Sequence, residues 1–269
     1  MRILLIGDIV GKPGRHICTQ VVRGLRAEEN LDLVVANAEN AASSGSGLTP
    51  EIYRELTAAG IDGITLGDHV YRRREIFSIL QTERKIVRPA NYPSAAPGRE
   101  FAVLRTRKQV NVAVLTLLGR VFMPPIDCPF HAADRVLATL PADVRVILVD
   151  FHAEATSDKQ LMGRHLDGRV SAVLGTHTHV PTADERILPG GTAFQCDVGM
   201  TGPHESILGR RIDRVMETTR TYRPTHFEVA SGDVRLNGAI VDVDPQTGRA
   251  NGIQRICIDQ AMAKQFAKK

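Results

Sequence analysis

The chain is expected to fold as an α/β protein in which two packed sheets carry helices on their outer sides. Three observations point there. Strand-like and helical segments alternate through the first half, the βαβ signature of a largely parallel sheet. The last part turns to strand-like runs joined by short turns, which adds antiparallel pairing and makes the sheets mixed. Apolar segments also end repeatedly in a residue able to bind a metal, and in open α/β sheets the carboxyl ends of strands form the edge where ligand sites gather.

The first apolar run, Ile3-Leu4-Leu5-Ile6, lies in a strand over 2–7. A helical pattern over 14–28 follows, opened by Pro13-Gly14, and a second strand covers 31–37. The segment from Ala41 to Gly47 is small and rich in Gly and Ser, and its place directly after Glu39-Asn40 makes it a site loop rather than a linker. A helix over 50–59 takes Thr49 as its N-cap and Pro50 at its first position, where the missing N–H costs nothing. A strand over 61–66 and a helix over 73–81 come next. Further strands are expected at 101–105, 111–117, 145–151, 170–174 and 192–197. Three closing runs, 226–231, 233–243 and 252–258, are joined by Ser231-Gly232-Asp233 and Pro245-Gln246-Thr247-Gly248, both turn-forming, and should make an antiparallel meander. No repeat or low-complexity stretch interrupts the pattern, so residues 1–269 are expected to form a single domain.

Hydrophobic residues make up 43% and charged residues 24% of the 269, ordinary values that argue against disorder. No apolar stretch approaches the roughly 20 residues a membrane helix needs. The N-terminal apolar run is too short for a signal peptide and fits a first strand, so a cytoplasmic protein is expected. Cys18, Cys128, Cys196 and Cys257 are far apart without a CxxC pair, which argues against a zinc knuckle, gives no disulfide framework and leaves them as small core residues. A net charge of +4 permits anionic substrates, while the scatter of the basic residues does not mark a nucleic-acid surface.

The chemistry lies at the ends of the strands. Val173-Leu174-Gly175-Thr176-His177-Thr178-His179 places two imidazoles two residues apart, and on a continuing strand both would face one side. Gly7-Asp8, Glu39-Asn40, Gly67-Asp68-His69 and Asp150-Phe151-His152 each follow an apolar run in the same way. Asp8 and Glu39 supply anionic oxygens, and Glu39 can offer one oxygen to each of two cations held about 3.5–4 Å apart. Asn40 adds a neutral carbonyl oxygen, and His152, His177 and His179 add imidazoles. This mixed set suits iron, manganese or zinc better than calcium or magnesium. Adjacent residues at a strand end rarely reach one metal together, so Asp68 is read as the ligand and His69 as a proton donor to a leaving alkoxide or as an orienting group.

The remaining histidines, His16, His131, His165, His204 and His226, are read as structural. The segment Gly199-Met200-Thr201-Gly202-Pro203-His204 follows a strand, and its backbone N–H groups can form an anion-binding concavity. Tyr71-Arg72-Arg73-Arg74 is either a solvated helix start or a contact for substrate phosphate, and Arg88-Pro89-Ala90-Asn91 either lines the site or makes an ordinary turn.

This ordered set of motifs resembles the binuclear metallophosphoesterases, and more closely their bacterial YmdB-type branch. The matching blocks are Met1 to Leu4 with Gly7-Asp8-Ile9-Val10-Gly11, Ala38-Glu39-Asn40-Ala41-Ala42, Arg88 to Asn91, Asp150 to Ser157, Gly175 to Val180 and Asp197 to Pro203. The resemblance implies an α/β/β/α sandwich of two mixed sheets, two metal ions of iron or manganese, and phosphodiesterase activity on cyclic nucleotides, 2′,3′-cyclic and 3′,5′-cyclic. It implies Asp8, Glu39, Asn40 and His179 around one ion and Glu39, Asp68, His152 and His177 around the other, with His69 as the proton donor. Asp8-Ile9-Val10 departs from the Asp-x-His opening of most metallophosphoesterases, and Asn40 takes that ligand place in the YmdB-type branch. Gly67-Asp68-His69 departs from the family's GNH, exchanging a neutral amide ligand for a carboxylate.

The expected reaction is in-line attack of a metal-bound hydroxide on a phosphodiester. Rival readings are a phosphomonoesterase, including a phosphoprotein phosphatase, and a signalling protein that binds a cyclic nucleotide or RNA with little turnover. The expected partners are a nucleotide phosphodiester, RNA and further copies of the chain, with no membrane.

Overall fold

The computed structural model describes residues 1–266. In chain order its elements are β1 (Arg2–Ile6), α1 (Gly11–Glu28), β2 (Leu33–Asn37), α2 (Pro50–Ala58), β3 (Gly63–Thr65), α3 (Ile76–Thr82), β4 (Ile86–Val87), β5 (Phe101–Arg105) and β6 (Asn111–Leu118). They continue with α4 (Pro129–Thr139), β7 (Val146–His152), α5 (Thr156–Leu166), β8 (Ala172–Thr176), β9 (Arg186–Ile187), β10 (Ala193–Gln195), β11 (Gly202–Glu205), α6 (Ile212–Thr221), β12 (Gly232–Val243), β13 (Ala250–Asp259) and α7 (Gln260–Phe266).

One sheet runs in the order β11-β12-β1-β2-β3-β4, with β13 also paired to β12, and the other in the order β5-β6-β7-β8-β10-β9. Both are mixed. The strands β1 to β4 run parallel, as do β6, β7, β8 and β10, while β12 and β5 lie antiparallel to their neighbours.

Strand alternation explains the layering. Ile3 and Leu5 of β1 and Leu33 and Val35 of β2 face Val112, Val114, Val146 and Leu148 of the second sheet, forming the core between the sheets. Their neighbours Leu4, Ile6, Val34 and Ala36 point the other way, onto Ile17, Val21 and Leu25 of α1 and Ile52 and Leu56 of α2. Leu115 and Val149 likewise meet Val136 of α4 and Met162 of α5 on the far side of the second sheet. The result is the expected α/β/β/α sandwich. Thr49 caps α2 by accepting from Ile52 N, with Pro50 in the first turn, as the sequence indicates.

Four local expectations change. First, α1 begins at Gly11, so Pro13 lies inside its first turn. Second, α3 begins at Ile76, because Arg72 to Glu75 form turns closed by bonds such as Ile76 N to Arg73 O. Third, 226–231 is not a strand, since Arg211 N bonds Glu228 O and Ala230 N bonds Gly209 O in isolated contacts. The antiparallel neighbour of β12 is instead β11, whose Gly-Pro-His-Glu sequence carries no apolar signal. Fourth, Cys18 and Cys196 are buried, but Cys128 is half-buried and Cys257 exposed, and all four are free thiols. No helix among the described residues is long and apolar enough to cross a membrane.

Because the central strands of both sheets are parallel, their carboxyl ends meet along one edge. Polar bonds tie the sheets together there. Asn37 Nδ2 donates to Asp150 Oδ2 at 3.0 Å, and Thr116 Oγ1 donates to Leu66 O at 3.1 Å.

Candidate metal centre

At this edge Asp8 follows β1, Glu39 and Asn40 follow β2, Asp68 and His69 follow β3, His152 ends β7, and His177 and His179 follow β8. Ligand atoms of Glu39, Asp68, His152 and His177 lie within 4.8 Å of one another. His152 Nε2 stands 3.3 Å from Glu39 Oε1, 3.2 Å from Asp68 Oδ1 and 3.0 Å from His177 Nδ1. On the other side of Glu39, Asn40 Nδ2 lies 3.0 Å from Glu39 Oε1 and 3.3 Å from His179 Nε2, which is 3.8 Å from Asp8 Oδ1. Glu39 therefore borders both groups of donors.

Among the described residues, Asp8 Oδ1 is fully buried and has no hydrogen-bond partner. A buried carboxylate oxygen left so is costly unless a cation meets it. Asp8, Glu39 and His152 are almost wholly buried. Burial opposes charge on His152, yet Glu39 and Asp68 raise its pKa well above the ordinary range. Glu39 is held well below the usual carboxylate range, with His152 and then His69 outweighing its burial. Crowded carboxylates and imidazoles, with one oxygen lacking any partner, fit cation binding.

Gly67 makes the approach possible. A Cβ at this position would overlap His152 Nε2 and Glu39 Oε2. Gly67→Ala is expected to push those two side chains apart, with an overpacking cost of about 1–3 kcal/mol. Thermal unfolding should show a lower Tm and elemental analysis weaker metal retention; unchanged values for both would mean the site can relax around a methyl group.

The two imidazoles of the GTHTH segment converge for a different reason than strand alternation. Thr176 ends β8, and His177 and His179 both take positive φ, 94° and 66°. Such backbone persists only where its surroundings over-determine it. Here the intervening Thr178 donates to Asp197 Oδ2 through both N, at 3.0 Å, and Oγ1, at 2.8 Å. Buried Lys159 Nζ meets the same oxygen at 2.7 Å, and Gly199 N bonds Asp197 Oδ1 at 2.8 Å. His177 N also donates to Asp8 Oδ2 at 3.0 Å.

A second support lies beneath His152. Its Nδ1 is 2.9 Å from Thr176 Oγ1, which donates to Asp150 Oδ1 at 2.6 Å. With Nδ1–H given to the hydroxyl, Nε2 keeps its lone pair for a metal, the usual way an outer hydrogen bond fixes a ligand imidazole. Burial pushes the Asp150 carboxyl up to about 6, although Thr176, Thr65 and His152 favour its charged form. Asn37, Thr65, Asp150, Thr176, Lys159 and Asp197 are not among the ligands or proton donors that the sequence predicts. Asp150 had a usable signal, since it shares a strand face with His152 two residues later.

His69 sits at the rim of the cluster, partly exposed. Its N donates to Glu39 Oε2 at 2.8 Å, its Nδ1 lies 2.7 Å from Asn40 Oδ1, and its Nε2 is 3.7 Å from Asp68 Oδ2. Burial works against charge on this ring, but Glu39 and Asp68 outweigh it and raise the pKa.

The other flagged segments have mostly internal roles. The N–H groups of Gly199, Met200 and Thr201 bond Asp197 Oδ1, His179 O and Asp8 O, so they form no anion-binding concavity. His204 bonds Gly202 O and Asn237, and His165 pairs with Asp134. Buried Arg88 bonds Pro89 O, Ala96 O and Glu100. The 41–47 loop is anchored from outside, with Arg73 reaching Ser44 Oγ and Arg210 reaching Gly45 O.

Comparison with known proteins gives one consistent result. The model of the YmdB-like protein family matches residues 4–256. A 2′,3′-cyclic-nucleotide 2′-phosphodiesterase of Bacillus subtilis is 45% identical over 96% of this chain and 97% of its own. A crystal structure of a hypothetical protein from Thermus thermophilus superimposes with a TM-score of 0.89 at 40% identity, covering 96% of this chain and 99% of that one. A phosphatase structure from Mycoplasma pneumoniae has the same TM-score, 0.89, at 32% identity over 96% of this chain and 93% of its own. With the family model spanning nearly every strand of both sheets and these likenesses running from end to end, the chain belongs to the YmdB-like protein family.

Proposed function

We propose that the chain is a metal-dependent phosphodiesterase acting on 2′,3′-cyclic nucleotides, with 3′,5′-cyclic nucleotides as a further substrate class. The observation that carries this reading is the pair of donor groups sharing Glu39, with His69 at their rim. Asp8, Glu39, Asn40 and His179 would hold one cation, and Glu39, Asp68, His152 and His177 the other. The mix of carboxylate, amide and imidazole donors suits iron, manganese or zinc, and the family resemblance favours iron or manganese among them. Two bound cations would draw charge from a phosphate and lower the pKa of a water nucleophile toward about 7.

The chain's own residues do the rest. Water oxygen adds to phosphorus, the bond from phosphorus to O2′ breaks, and a nucleoside 3′-phosphate leaves; the Bacillus relative's name describes cleavage at this position. O2′ needs a proton as it departs. His69 can supply it from Nε2, because its Nδ1 is engaged by Asn40 Oδ1 and the neighbouring carboxylates favour the protonated ring. Turnover of 2′,3′-cyclic nucleotides and bis-p-nitrophenyl phosphate, compared with p-nitrophenyl phosphate, tests the reading. Hydrolysis of the monoester alone would make the protein a phosphomonoesterase, and cyclic-nucleotide binding without turnover would make it a sensor.

Asp68 adds a negative charge where the family's GNH supplies a neutral amide. That charge holds cations more tightly but repels an anionic phosphate across a site partly shielded from solvent, where screening is weak. Asp68→Asn is therefore expected to raise phosphodiesterase turnover while slightly weakening metal retention. Unchanged or lower turnover at saturating metal would mean that the carboxylate suits a more highly charged ion, such as ferric iron.

A further inference from the structure

Resting on the phosphodiester reading, we propose that Tyr92 is a substrate-contacting residue whose phenol donates a hydrogen bond to the substrate phosphate. Tyr92 follows the Arg88-Pro89-Ala90-Asn91 segment, and that segment is fixed to the site edge at several points. Ala90 N bonds Thr116 O at 2.8 Å, while Thr116 Oγ1 reaches Leu66 O, just ahead of Gly67-Asp68. Asn91 Oδ1 accepts from Leu118 N at 2.9 Å and its Nδ2 donates to Leu118 O at 2.9 Å. Leu118 is the strand partner of His152. The backbone thus holds the segment that carries Tyr92 at the strand ends from which Asp68 and His152 come, and Asp68 and Glu39 are near enough for their charge to act on the phenol.

The ring is braced but its hydroxyl is not. Tyr92 packs edge-on against Tyr71, two residues beyond His69, with ring centroids 5.6 Å apart, and Tyr71 stacks on Phe77 at the same distance, 5.6 Å. Among the described residues the Tyr92 hydroxyl, half-buried, makes no hydrogen bond, whereas those of Tyr53 and Tyr71 both do. Burial, with Asp68 and Glu39 nearby, pushes its pKa up to about 12, so the phenol stays a donor throughout the neutral range. In the proposed centre the carboxylates would be taken up by bound cations, which leaves an incoming anion as the acceptor. Arg72, exposed and making no side-chain hydrogen bond or ion pair among the described residues, lies close enough for its charge to act on both Tyr92 and His69, and it adds attraction for an anion on this side.

Tyr92→Phe keeps the ring packing and removes only the donor. A bond made to phosphate before and during the reaction is uniform binding, so the variant should raise KM for a 2′,3′-cyclic nucleotide about tenfold with kcat nearly unchanged. The dissociation constant of inorganic phosphate on the manganese-loaded protein, measured by calorimetry, should rise by a similar factor. The chain has no Trp and four Tyr, so emission comes from the tyrosines alone and the difference between parent and variant isolates the share of this ring. Phosphate should perturb the emission of the parent protein and do so much less in the variant. Unchanged KM and phosphate affinity, or a loss of bound manganese from the variant, would overturn the proposal. If the parent protein turns over no cyclic nucleotide, the phosphodiesterase reading fails, and phosphate binding still decides the role of Tyr92.

Discussion

Replacing Glu39 by Gln is expected to cost the centre at least one of the two cations proposed for it and to lower turnover by at least about 10²-fold, the scale on which loss of one electrostatic stabiliser is felt. Glu39 is 1% exposed, and its two oxygens face different neighbours. Oε1 lies near His152 Nε2 and Asn40 Nδ2, while Oε2 accepts from the backbone N of His69. An amide would place an NH2 against one of these donors. In the loaded centre it would also offer one good ligand oxygen where a carboxylate offers two, and an amide bridges two cations poorly. The backbone around Glu39 does not depend on the carboxylate, since Glu39 N donates to Asn37 Oδ1 and Glu39 O accepts from Gly47 N. Elemental analysis of the purified variant is the direct check. Two ions per chain still bound would remove the bridging role, whatever the activity.

How much of this was legible in the sequence follows from which contacts are local. The alternation of Ile3, Leu4, Leu5 and Ile6 between two cores is written in the strand period, and so is the placing of Asp8, Glu39, Asp68 and His152 at strand ends. The pairing of Asp8 with the GTHTH segment is not local, since His177 N and Asp8 Oδ2 are brought together only when the two sheets pack. The same holds for the turn that aims His177 and His179. Its strained backbone depends on Asp197 and Lys159, remote in sequence, so the two imidazoles are aimed by this turn and not by alternation on a continuing strand. β11 escaped because Gly202, Pro203, His204 and Glu205 have no apolar pattern, and β12 alone makes a strand of them. Asp150 and Thr176 escaped because an outer hydrogen bond to a ligand is visible only once the ligand's neighbours are known.

His69→Ala is expected to separate assembly of the centre from the chemistry. Metal content should stay near the parent value, because in the proposed centre Asp68 would be the ligand that follows β3, while His69 touches the cluster from its rim. Turnover of a 2′,3′-cyclic nucleotide, whose leaving ribose oxygen needs a proton, should fall by about 10²–10⁴-fold. A p-nitrophenyl leaving group needs less protonation, so the loss on bis-p-nitrophenyl phosphate should be distinctly smaller. The ratio of the two losses is more informative than either alone. Truncation also frees Asn40 Oδ1 from its 2.7 Å contact with the imidazole, which could change how Asn40 meets a cation. Such a change would act on both substrates alike, since both are bound and polarised by the same centre. Equal losses would therefore assign His69 to orienting Asn40, and a larger loss for the poorer leaving group would assign it to proton donation.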